Sequence, residues 1–201
     1  MSLSLLGWRR EVAAAYRSAR EADHPRDGWQ LWRERRDALF HGHPDSPLPP
    51  EARARFTGLP FADYDPDLRF TVPVTDADPA HLDIPTATDG VVPFDRIGRV
   101  TLPSLGALDV WWLGSYGGGV FLPLKDATAG RTTYGGGRYL LDTVKGADLG
   151  GDEDTLVVDL NFAYHPSCAY DAAWVCPLAP PGNVLGAEVP VGEQLPDGGW
   201  Y

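Results

Sequence analysis

From position 68 to position 162 the chain is a succession of short apolar, β-branched and aromatic runs, each closed by glycine, proline or aspartate. Such runs read as sheet: short strands joined by turns. The pattern predicts strands over 68–74, 91–102, 107–113, 119–124, 138–144 and 156–162. Segment 75–90, TDADPAHLDIPTATDG, has little periodicity and reads as an acidic loop. The runs VWWL (110–113) and VFLPL (120–124) are apolar on both faces, which requires cover on both sides of the sheet.

That cover has a source upstream. Trp8, Val12, Ala15, Tyr16 and Ala19 fall on one stripe of a helix over 5–20. His24-Pro25 interrupts the pattern, and Asp27 is placed to cap a second helix reaching Phe40, on which Trp29, Trp32, Arg36, Leu39 and Phe40 share a face. A short third helix fits 50–55, with Pro50 and Glu51 in its first turn. The fold class expected is mainly β (α+β): an antiparallel β-barrel or sandwich of about seven strands with two N-terminal helices packed on it. No linker or repeat divides the 201 residues, so 1–201 reads as one domain, helical over 1–55 and β-rich over 68–193.

The formal net charge of −11 argues against a general nucleic-acid surface or an anionic membrane surface, both of which need clustered Lys and Arg. No apolar run approaches the roughly 20 residues that span a bilayer. The first residues carry their charges after the apolar piece, the reverse of a secretory signal, so a cytoplasmic location is expected. Two cysteines make no disulfide framework, and a reducing compartment would keep them as thiols.

Reactive side chains concentrate in one stretch, TLVVDLNFAYHPSCAYDAAWVCP (155–177), which opens as a strand and breaks into polar, turn-prone residues. Asp159 and Asn161 at the end of a buried strand need partners, because an unpaired buried charge costs several kcal/mol. Arg138 suits that task for Asp126, Asp159 or Glu193; alternatively it is left to hold a substrate carboxylate or phosphate. His165 and Cys168 are three apart across a turn begun by Pro166. That spacing leaves two readings open: a buried, inert thiol, or a nucleophile whose proton His165 accepts. His165, Cys168 and Cys176 match no zinc module in their spacing, and His41 and His43 sit beside proline in a turn, so no metal is expected. The glycine runs at 117–119 and 135–137 lack the spacing of phosphate or dinucleotide loops and read as turns, which leaves any cofactor unassigned.

TYGGGRYL (133–140), DLNFAYHPSCAY (159–170), CPLAPPGN (176–183) and VPVGE (189–193) together resemble a bacterial family known as DUF1684, a domain of unknown function. The resemblance runs from about Arg33 to Glu193 and implies the family fold without an activity. His165 stands where the family usually has asparagine, Leu160 where it has phenylalanine, and Ala179 where it has proline. The density of polar residues at one strand end points to a small-molecule pocket around Tyr134, Arg138, Asn161, Tyr164 and His165, bordered by Asp159 and Glu193. Its expected use is enzymatic, on a polar or anionic substrate with His165 and Cys168 as catalytic residues. The alternative is a non-catalytic ligand-binding module using the same pocket.

Overall fold

Proline placement and apolar spacing set the helices. In the computed structural model, which describes residues 3–86, 90–114 and 116–199, α1 is Leu3–Glu21, α2 is Pro25–Gly42 and α3 is Pro50–Ala54. Pro25 occupies the first turn of α2, where its missing N–H costs no helical bond. His24, not Asp27, is the cap residue; Asp27 lies inside the first turn, where a negative charge suits the positive helix end. The α1–α2 crossing is close enough that a Cβ on Gly28 would sit 2.4 Å from the Ala19 carbonyl oxygen.

Among the described residues seven strands follow: β1 Arg69–Pro73, β2 His81–Pro85, β3 Val91–Leu102, β4 Gly106–Leu113, β5 Gly119–Leu124, β6 Arg138–Asp142 and β7 Thr155–Asp159. They form two antiparallel sheets, a five-stranded meander in the order β2-β3-β4-β5-β6 and a pair, β1-β7. Neither sheet closes, which corrects the barrel expectation; an α+β arrangement loosely like a sandwich is what the chain adopts. Two isolated bridges stitch the sheets together, Thr75 with Arg99 and Tyr139 with Tyr164.

The strands depart from the sequence pattern by more than one residue at an end in three places. Within the expected acidic loop 75–90, of which 87–89 lie outside the described residues, HLDIP forms edge strand β2. Its Leu82 and Ile84 pack against Phe94, Trp111, Phe121 and Tyr139, while the exposed charges and terminal proline suit an edge. β7 stops at Asp159, because that carboxylate accepts the Asn161 amide and turns Leu160–Phe162 into one 3-10 turn. β6 ends at Asp142, before a 3-10 turn at Thr143–Lys145.

The main core joins both sheets to the helices: Tyr16, Trp29 and Trp32 pack with Val72, Val100, Leu108, Leu122, Leu140 and Val158. The C-terminal segment adds Leu185, Val189 and Val191 to the same cluster. That segment is an extended strap held by ladder bonds to Lys125, Ala127, Ala163 and Pro60. Asn183 fixes it across β4 and β5, accepting from Trp111 Nε1 at 2.8 Å and donating to the carbonyls of Asp109 (2.8 Å) and Pro123 (3.0 Å).

Candidate functional site

The residues singled out by sequence separate into three groups. In the first, Arg138 is only 1% exposed. Its Nη2 donates to Asp126 Oδ2 at 2.7 Å and to the Val189 carbonyl at 2.9 Å, and its Nη1 to the carbonyls of Val191 and Glu193. Burial alone would raise the Asp126 carboxyl, yet Arg138 and Thr128 together hold it below the usual range. This guanidinium pins β6 to the strap, and Asp126 is its carboxylate; Asp159 is not.

Asp159 and Asn161 make the second group, on the helix side. Asp159 Oδ2 accepts from Arg69 at 3.2 Å and from the Tyr64 hydroxyl at 3.3 Å, while Oδ1 accepts both amides of Asn161. Asn161 also exchanges bonds with the Asp65 backbone at 2.8 Å each, and its carbonyl accepts from Trp29 Nε1. Burial raises the Asp159 carboxyl, opposed by Asn161 and Arg69. These contacts lock the end of β7 to α2 and to the segment entering β1.

The third group surrounds residue 165. Glu193 is fully buried, and its Oε2 accepts from Arg36 at 3.1 Å and from the His165 amide at 3.1 Å. The Tyr170 hydroxyl donates to its Oε1 and accepts from Arg36 at 3.0 Å. Arg36 lies over the rings of Phe40 (4.5 Å) and Tyr164 (4.8 Å). Burial raises Glu193, with Arg36, the Tyr170 hydroxyl and the His165 amide pulling the other way. Sequence reasoning missed Arg36 and Tyr170 here; the available signal was an arginine within the apolar stripe of α2.

Both ring nitrogens of His165 face groups other than Cys168. Its Nε2 accepts the Tyr134 backbone N–H at 3.1 Å, and its Nδ1 faces Glu193 Oε1 at 3.7 Å. Burial, then the charges of Arg138 and Arg36, hold the imidazole well below its usual pKa, so it is neutral in the fold.

Cys168 is polarised from another side. It sits on the 3-10 turn Ser167–Ala169, 8% exposed. The neighbouring Cys176, and to a lesser degree the Tyr134 side chain, lower Cys168 to about 6 against the cost of burial, while Cys168 and burial push Cys176 up.

Tyr134 is brought there by the glycine run. Gly137 turns with φ of 94° and donates to the Tyr134 carbonyl at 2.9 Å; a side chain on Gly136 would strike the Tyr134 ring at 2.5 Å. Beside it the Tyr139 hydroxyl donates to the Pro177 carbonyl at 2.5 Å, tying the residue after Cys176 to β6. Among the described residues no cluster of three or more His, Cys, Asp or Glu is placed to hold a metal ion. The two clefts described lie away from this group. One, of about 320 Å³, is bordered by Arg20, Arg69, Gly150 and Phe162; the other is bordered by His41, Leu48 and Arg53.

A comparison with curated proteins finds no match. Among solved structures the chain is similar to the solution NMR structure of an uncharacterized protein of Haloarcula marismortui, with 34% identity, a TM-score of 0.58, and coverage of 82% of this chain and 91% of that one. Residues 54–194, well over half of the chain, match the family described as "Protein of unknown function (DUF1684)". With its glycine turn, its Asp159–Asn161 corner, both cysteines and Glu193 all inside the matched region, the chain belongs to the DUF1684 family.

Proposed function

We propose that the chain is a small-molecule enzyme whose reactive group is the Cys168 thiolate, approached by a small polar substrate from the side of Tyr134. What supports this reading is the lowered pKa of Cys168, about 6, for which Cys176 and the half-buried Tyr134 are the causes. A free cysteine ionises near 8.5, so at neutral pH Cys168 is largely thiolate where an ordinary cysteine is largely thiol. Thiolate is the nucleophilic form, and Tyr134 is half-buried, with a face towards solvent. Arg138, Asp159, Asn161 and Glu193, all buried among protein partners, serve this site as scaffold. Tyr164 packs beneath Arg36, and His165 positions Tyr134 through its main chain.

The test is the pH profile of alkylation. With iodoacetamide, Cys168 should react far faster than Cys176, with a midpoint near pH 6. Tyr134→Phe should move that midpoint upwards. If Cys168 is modified no faster than Cys176, or only in denaturant, the thiolate reading is wrong.

A further inference from the structure

We propose that the cleft between the end of α1 and the start of β1 binds a small organic anion, its carboxylate or phosphate head held by Arg20 and Arg69 and its apolar body lodged against Phe162. The cleft holds about 320 Å³, at the lower end of the range for small-molecule sites. It shares no lining residue with the group around Cys168, so the inference is independent of the thiolate reading.

The charge of the lining points to an anion. The chain carries 28 acidic residues against 17 basic ones, yet the charged side chains lining this cleft are two arginines and no carboxylate. A guanidinium is a planar fork of N–H donors, and its Nε–Nη2 edge matches two oxygens of a carboxylate or phosphate. Arg69, the first residue of β1, gives Nη1 to Asp159 Oδ2 at 3.2 Å. Arg20, in the last turn of α1, gives Nη1 to the Asp148 carbonyl. Among the described residues neither arginine uses Nε or Nη2 in a hydrogen bond, so each keeps that edge for a ligand. Nor is Arg20 closely neutralised. The Asp148 carboxylate stands 3.9 Å from it, with Oδ1 accepting the Gly150 amide at 2.8 Å. Both side chains are about one-third exposed, at 34% and 32%. Each is pinned by one nitrogen and open at the others, so it has less freedom to lose on binding.

The rest of the wall limits the ligand to a small, partly apolar one. Phe162 and Leu149 line the cleft while themselves buried, at 2% and 6% exposure, and form its apolar floor. Phe162 belongs to the 3-10 turn that Asp159 caps, and the same carboxylate holds Arg69, so one corner sets both floor and fork. Ala19 and Ala22 keep the α1 side open, because a longer side chain there would occupy the space. Gly150 has φ of 84°, and a Cβ on it would stand 3.2 Å from Arg20 Cδ. Bare backbone at that point lets the loop pass beside Arg20 without displacing it.

Calorimetric titration of the full chain with benzoate and with phenyl phosphate tests the site. Benzamide serves as the neutral analogue, and inorganic phosphate as a head without a body. Wild type should bind benzoate or phenyl phosphate and melt at a higher temperature in its presence, and the tighter of the two identifies the head. Benzamide and inorganic phosphate should bind more weakly by about tenfold or more. Arg20→Gln removes one fork at a partly exposed position, while Ala22→Phe fills the cleft and leaves both arginines in place. Each should weaken binding by about tenfold or more, in protein that still melts cooperatively. Arg69→Lys keeps a charge beside Asp159 but loses the side-on edge, and should weaken binding likewise. Absence of binding by either anion at millimolar concentration would overturn the proposal. So would equal binding of benzamide or inorganic phosphate, or an affinity unchanged in both Arg20→Gln and Ala22→Phe.

Discussion

His165 illustrates how burial turns a titratable side chain into a source of pH dependence. The fold keeps it neutral, well below its usual pKa, whereas the unfolded chain binds a proton near 6.5. Below that value the unfolded state holds a proton that the native state lacks, so stability falls with pH, by up to about 1.4 kcal/mol per unit. Glu193 and Asp159 act in the opposite sense, because their raised carboxyls take up protons in the fold first. Comparing wild type with His165→Asn separates the two: the gap in unfolding free energy should shift in favour of the variant as pH drops from about 7 to about 5. A gap that stays constant would mean that His165 protonates freely in the native state. At this scale the sequence was partly legible. A buried arginine for a buried carboxylate follows from charge alone, so Arg138 with Asp126 was among the expected pairs. Arg36 with Glu193 was not, because 157 positions separate them and nothing in a helix stripe says what it will meet.

Asn183 does for the elements what Arg138 does for charges. Its carboxamide satisfies Trp111 of β4 and two carbonyls, those of Asp109 and Pro123 on β4 and β5, while its own backbone pairs with Lys125. Asn183→Leu keeps the size but orphans a buried donor and two acceptors, at about 1–3 kcal/mol for each group left unpaired. Chemical denaturation should show a loss above about 3 kcal/mol; a variant as stable as wild type would mean that water replaces these bonds. Strand positions were readable wherever apolar runs were long, as in β3, β4 and β5. β2 was hidden because only Leu82 and Ile84 carry its pattern, and its pairing comes from β3, not from itself. The end of β7 was misjudged because a local side-chain bond, Asp159 to the Asn161 amide, outcompeted an otherwise continuous β pattern.

Across the whole molecule, the helical part shares its core with both sheets. Trp29 and Trp32 of α2 contact the same cluster as Val72 of β1, Leu122 of β5 and Val158 of β7. Unfolding should therefore be one transition, with far-UV circular dichroism and tryptophan emission giving the same midpoint; a separate early loss of helix would contradict that. The same architecture has a consequence for how the protein is made. Arg36 and Arg138 are synthesised long before the carboxylate and carbonyls of 189–193 that receive them. A nascent chain lacking the strap holds two guanidiniums short of partners, and burying them then would cost more than the packing returns. Completion of the core must wait until residue 193 has cleared the ribosome. Until that moment the apolar strands β3 to β6 remain exposed to chaperones and to neighbouring chains.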